Sequence, residues 1–234
     1  MGRRVRHLNP RDLGAVRCYE APFLSGFANA ASVGTWPDRC GTANATQTTG
    51  ANQPTFRVNQ FGGQAVVRFD GSNDFMAFTS AAGSAMSFIA ARRDAVAGGV
   101  VLGRDEGAGA APNVQYLRSF SSRSLAFSNP PANILFQSAS NTITTTPAIN
   151  FQSYTTSSQM QFWDNGVSIG QSADNWSGSF GVNCIGAIRI SNVIQVPLNG
   201  DVGAAIVFLS NIAGTAIQKR VQHHLAFLFK IACS

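Results

Sequence analysis

The chain has 234 residues, enough to bury one substantial core, and 12% of them are charged, against about 25% in an ordinary soluble protein. Within residues 1–17, Arg3, Arg4, Arg6, Arg11 and Arg17 face Asp12 alone, so this stretch holds +4 of the net +6 and leaves +2 for the rest. No dense face of basic and aromatic residues follows, which argues against nucleic acid as a partner, and no run approaches about 18 uninterrupted apolar residues, which argues against a membrane-spanning helix.

Residues 1–17 read as a basic N-terminal arm and 18–234 as the folded domain. Pro10 and the lack of alternation keep residues 1–11 from reading as a central strand, so Arg3, Arg4, Arg6 and Arg11 are candidate docking contacts for an acidic partner. MGRRVRHLNPRDLG has the positive start of a secretory signal without the apolar run that must follow it, so export by that route is not expected. Cys18, Cys40, Cys184 and Cys233 have no CxxC spacing. They are expected to be mostly buried free thiols, with Cys18 and Cys40 the only pair close enough in sequence to suspect of bonding. From Ala28 to Pro54, Gly, Thr, Asn and Ala dominate without periodicity, the mark of a long ordered loop over a sandwich.

From there the punctuation is that of strands. QAVVRFD, DFMAFTS, MSFIAAR, GVVLGRD, NVQYLRSF, SLAFSN, NILFQSA, NTITTT, INFQSYTTS, GVNCIGAIRIS and GDVGAAIVFLS are short apolar or alternating runs separated by turn residues. In MQFWDNGVSIG, Asn165-Gly166 supplies the two positive-φ positions of a type I′ hairpin turn. This count and spacing predict an all-β sandwich or jelly roll. Only the end departs from it: Ile217, Val221, Leu225, Leu228 and Phe229 recur at helical spacing and predict one amphipathic closing helix over 212–231. His223 and His224 are adjacent on that helix, diverge by about 100°, and read as surface or partly packed histidines rather than metal ligands.

Several landmarks in order, TWPDRCG (35–41), NQP (52–54), FGGQAVVRFDGSNDF (61–75), WDNG (163–166) and VPLNGDVGAAIVFLS (196–210), resemble the concanavalin A-like lectin/glucanase superfamily in its laminin-G-like branch. The resemblance implies a two-sheet antiparallel jelly roll with a curved concave face. It also implies one of three uses: glycan cleavage, glycan binding or plain structure. Where the last strand of that family more often carries Glu soon after Gly-Asp, this chain has Gly200-Asp201-Val202 running into Gly203-Ala204-Ala205. Hydrolysis in such a fold needs two carboxyl groups across the scissile bond, about 5 Å apart for retention. The chain has two glutamates, Glu20 and Glu106, neither in an alternating strand, and it lacks the E-x-D-x-x-E pattern of the hydrolase members. A non-catalytic protein is expected.

Three sets of residues remain as candidate sites. Asp70, Asn73 and Asp74 read first as a structural turn, with a calcium cradle as the alternative, since a hard cation takes oxygens of this kind. Trp36, Trp163 and Trp176 are candidate glycan contacts, Trp36 reading first as a core anchor. The third set is the arginine arm. A free-standing domain of this resemblance, sparse in charge and without a signal, is expected to be a structural component of a phage or virus particle, such as a capsid decoration protein, head fibre or tail part. It would be made in the host cytoplasm, reside in the virion, and associate with other virion proteins and copies of itself. The alternative is a carbohydrate-binding lectin module that mediates attachment to cell-surface glycan.

Overall fold

The computed structural model describes residues 8–96, 98–105, 115–120, 123–128, 133–134, 146–155, 159–175 and 180–234. Among them the strands are, in chain order, β1 (Ala15–Glu20), β2 (Thr35–Trp36), β3 (Ala45–Thr46), β4 (Thr55–Phe61), β5 (Gln64–Asp70), β6 (Met76–Gly83), β7 (Ala85–Asp94), β8 (Val100–Gly103), β9 (Gln115–Phe120), β10 (Arg123–Ser128), β11 (Asn133–Ile134), β12 (Ala148–Thr155), β13 (Gln159–Asp164), β14 (Val167–Asn175), β15 (Phe180–Ile185), β16 (Ile188–Ile190), β17 (Val193–Gln195) and β18 (Asn199–Phe208). One α-helix, α1 (Ala216–Phe229), closes the chain. It is not long and apolar enough to cross a membrane.

The described strands form two antiparallel eight-stranded sheets and a small third sheet of β16 and β17. The first runs β14-β13-β12-β7-β18-β5-β4, with β1 added against β18, and the second runs β11-β10-β9-β8-β15-β6-β3-β2. Alternation along each strand divides the apolar residues between two layers. On β7, Met86, Phe88 and Ala90 face the interior between the sheets, where they meet Tyr19, Trp36, Phe69, Phe78, Leu102 and Phe162. Ile89 and Ala91 face the other way and join Val66, Ile149, Phe151, Ile206 and Phe208 under Val221, Leu225, Leu228 and Phe229 of α1. The central strands of the first sheet, β7 and β18, are therefore buried on both faces over most of their length, which is why they read as continuous rather than alternating apolar runs. The expected two-sheet jelly roll with a single C-terminal helix is the fold observed.

Local signals act as anticipated at several points. β5 has the bounds of its sequence run, and the hairpin between β13 and β14 has Asn165 at φ 48 and Gly166 at φ 85. The helix begins four residues later than the expected 212, because the Thr215 side chain caps it by accepting the Gln218 amide at 3.3 Å.

One boundary is corrected, and the one suspected cysteine pair is found bonded where mostly free thiols were expected. The boundary between arm and domain at 17/18 falls inside β1: Pro10 and Ala15 are buried, and Arg17 and Cys18 pair with Val207 and Ile206 of β18. Residues 10–17 thus belong to the sandwich. Cys18 and Cys40 are joined in a disulfide, Cα atoms 5.2 Å apart, whereas Cys184 and Cys233 are free. The bond ties β1 to the 28–54 segment, which is ordered as expected but carries two short strands of its own, β2 and β3.

Candidate functional site

The Asp70–Asp74 loop is a turn built by its own carboxylates. Asp70 Oδ1 accepts the amides of Ser72, Asn73 and Asp74 at 2.8, 3.2 and 3.4 Å, and Asp74 Oδ2 accepts the Asp70 amide at 2.9 Å. Gly71 sits at φ +79, and a Cβ there would lie 2.6 Å from Cβ of Asn199. Burial, and after it the repulsion of Asp70, push the Asp74 carboxyl up from 3.8 to about 6. One oxygen of each carboxylate is thus engaged in holding the turn. Among the described residues no group of three or more His, Cys, Asp or Glu is placed to hold a metal ion.

The tryptophans divide. Trp36 is 1% exposed and packs edge-on against Tyr19 with ring centroids 6.0 Å apart, so it has no face to offer a sugar, which corrects its candidacy as a glycan contact. Trp163 is half-buried beside the helix layer, edge-on to Phe151 at 4.9 Å. Trp176 lies outside the described residues, as do Arg3, Arg4 and Arg6 of the expected docking arm, while Arg11 sits in a one-turn helix leading into β1. Of the two glutamates, Glu20 is buried at 1% exposure between Arg39 and His224, whose Nε2 lies 2.9 Å from it, and Glu106 is outside the described residues. His224, expected at the surface or partly packed, is a buried partner of that carboxylate.

The most developed polar constellation is one that sequence reasoning passed over. Asp201 of β18 lies opposite Arg68 of β5 on one side and opposite Arg93 of β7 on the other. Its carboxylate is 2% exposed. Oδ1 accepts Arg68 Nε at 2.6 Å, and Oδ2 accepts Arg68 Nη2 at 3.0 Å together with Arg93 Nη2. Gln60 Oε1 takes a further bond from Arg68 Nη2 at 3.1 Å and from Arg93 Nη2 at 3.3 Å, while the Arg93 guanidinium lies over the Phe61 ring. The hydrogen bonds to Asp201 raise the Arg68 pKa above its already high value, so this cation is permanent. These groups sit on the helix-side face of the first sheet, where Val66 and Ala91 place the neighbouring alternate positions in the helix layer.

Arg68, Arg93, Asn199, Asp201, Gly200, Asp94 and Ala95 line a cleft of about 340 Å³. Among the described residues, Arg68 Nη1 and Arg93 Nε and Nη1 donate to no protein group, and neither side chain is buried, at 38% and 29% exposure. The cleft therefore offers fixed guanidinium donors and the Asn199 amide to a ligand rich in oxygen. Sequence gave one signal for it, the Gly200-Asp201 pair, whose significance depended on which residues face it across the strands.

No protein-family model matches the chain, and no curated protein matches it in sequence. Solved structures do resemble it. Domain 4 of AbnA, a GH43 extracellular arabinanase from Geobacillus stearothermophilus, in complex with arabinotriose, matches with a TM-score of 0.52 and 9% identity over 83% of this chain and 92% of that domain. The binding domain of Paraclostridial Mosquitocidal Protein 1 matches with a TM-score of 0.56 and 9% identity over 94% of this chain. This chain spans about half of that one, 52%. At such identities the likeness is one of fold alone, an antiparallel β-sandwich.

Proposed function

We propose that the protein is a non-catalytic carbohydrate-binding module and that the cleft between β5, β7 and β18 holds the sugar. The observation that carries this reading is the set of guanidinium donors fixed over Asp201: they are pre-oriented by a buried carboxylate and left with unused N–H groups at an open cleft. Sugar hydroxyls and ring oxygens accept such donors, and a ligand there meets groups already ordered, which lowers the entropy of binding. The likeness of fold to a domain in complex with arabinotriose supports the same reading. Hydrolysis would need a pair of free carboxyl groups. Glu20 is locked to Arg39 and His224, and Asp70 and Asp74 brace a turn. A role in a virus or phage particle, the first expectation from sequence, is favoured by no described feature, so glycan binding takes its place.

The test is binding of the intact chain to an oligosaccharide array, followed by calorimetry on the hits, with arabinotriose included as the first soluble probe. Arg93→Ala should weaken binding by about tenfold or more, the loss expected for one charge-assisted hydrogen bond. Asn199→Ala, which touches no ion pair, should weaken it severalfold at an unchanged melting temperature. Absence of binding to every sugar on the array, or full affinity in both variants, would overturn the proposal.

A further inference from the structure

A second cleft lies elsewhere on the molecule, where the segment leading into β1 meets the 40–43 turn and β6. Arg11, Ala15, Val16, Arg17, Cys40, Gly41, Thr42, Ala43 and Thr79 enclose about 450 Å³. Two of these residues are arginines and none is acidic. Arg17 is held in place by donating Nη1 to the Val16 carbonyl at 2.7 Å and Nη2 to the Thr79 carbonyl at 3.1 Å, while its buried Nε has no partner. Among the described residues neither Arg11 nor Arg17 meets a carboxylate in an ion pair. The backbone N–H groups of Gly41, Thr42 and Ala43 likewise donate to no described group.

The turn that carries those amides is fixed from behind. The disulfide anchors Cys40 to β1, and Asp38, 6% exposed, accepts the amides of Cys18 and Cys40 through Oδ1 at 2.9 Å each. The lining itself carries two guanidinium groups and no carboxylate; Asp38, whose buried Oδ2 has no partner among the described residues, lies behind Gly41. The cleft thus presents many donors and no charged acceptor. A neutral sugar has hydroxyl hydrogens that need acceptors, which the first cleft has in the Asn199, Asp94 and Asp201 side chains of its lining, whereas a fully deprotonated ligand with three or four oxygens needs only donors.

We propose that this cleft binds a tetrahedral oxyanion, a sulfate or phosphate group, between Arg11, Arg17 and the 41–43 turn. The assignment also gives the basic excess of residues 1–17 a focus, since Arg11 and Arg17 are its last two members. It is independent of the sugar cleft described above. The volume leaves room for a carrier, so the group can arrive as a free ion or as an ester.

The experiment uses the full chain, titrated calorimetrically with sodium sulfate and sodium phosphate against sodium chloride at matched ionic strength, with melting temperatures measured in parallel. Saturable binding of sulfate or phosphate is expected, weakened about tenfold or more in Arg11→Glu and severalfold in Thr42→Ala, neither of which should alter the melting temperature without ligand. Asn199→Ala should bind the ions as the unaltered protein does. Glucose 6-sulfate and glucose 6-phosphate separate the sources: tighter binding than the inorganic ions means the group arrives on a carrier, and equal binding means the free ion is the ligand. A rise in melting temperature that Arg11→Glu shares in full is the general stabilising effect of these salts. That result, or the lack of saturable binding, overturns the proposal.

Discussion

Replacing Asp74 with Asn should stabilise the protein at neutral pH and leave it unchanged in acid. Asp74 is 5% exposed, and burial together with the neighbouring Asp70 lifts its carboxyl from 3.8 to about 6. A raised carboxylate pKa means that the folded state holds a proton which the unfolded chain has released. Its contribution is therefore complete below about pH 4 and is lost as pH rises through about 6. The gap corresponds to about 3 kcal/mol at 1.36 kcal/mol per pH unit. Because the Asp70 side of the turn is open to water, about 1–2 kcal/mol is the better expectation. Asn keeps an oxygen to accept the Asp70 amide and carries no charge at any pH. The variant should melt about 3–6 °C above the unaltered protein at pH 7.5 and at the same temperature near pH 4. Thermal melts from pH 4 to 8, read as the difference between the two proteins, make the check, because other titrating groups cancel. A variant that melts lower at pH 7.5 would mean that the ionised carboxylate is what the loop needs, and a calcium-dependent rise confined to the unaltered protein would identify a cation as the reason.

Other consequences follow from geometry at single positions. Gly71→Val would place a β-branched residue at φ +79 against Asn199 and should cost about 2–3 kcal/mol, seen as a fall of roughly 5–10 °C in melting temperature, with chelator having no effect on either protein. Removing the disulfide with Cys18→Ala and Cys40→Ala together frees a loop of 22 residues and should cost about 3 kcal/mol, measurable by urea denaturation; a double variant as stable as the parent would show that the two sulfurs are not bonded in solution. Leu225→Ala opens a cavity between α1 and the first sheet, where Leu225 is 0% exposed, and should cost about 2–5 kcal/mol by the same measurement.

How far the sequence could be read depended on the range of the forces involved. The Asn165-Gly166 turn, the run of β5 and the stripe of Ile217, Val221, Leu225 and Leu228 are local patterns, and each appears where local physics puts it. β1 was hidden because Arg17 and Glu20 interrupt its apolar pattern; it becomes a strand only because β18 supplies the pairing and because Glu20 finds Arg39 and His224 across the fold. The same long-range pairing turned His224 from a surface residue into a buried partner. The link between Cys18 and Cys40 was visible as proximity in sequence but not as a bond, since only the path of residues 28–54 back over β1 brings the two together.

The cleft around Asp201 was the least legible feature because its partners are 133 and 108 residues away. Nothing near Gly200-Asp201 names Arg68 or Arg93. β18 is hydrogen-bonded to β5 on one side and to β7 on the other, and both pairings place an arginine level with the same aspartate. Residues directly opposite on one sheet face lie about 5 Å apart, so the aspartate is within reach of both arginines, and the two like-charged guanidinium heads converge on its Oδ2 and on Gln60 Oε1. The aspartate turns their mutual repulsion into a clamp, and among the described residues the two arginines are the hydrogen-bond partners of its carboxylate, which is 2% exposed. The outer N–H groups of those arginines are thereby held at the cleft mouth in a fixed orientation. In this arrangement the central position of β18 in the sheet is what creates a rigid, donor-rich surface, and a ligand that binds there has no side-chain ordering left to impose on the arginines.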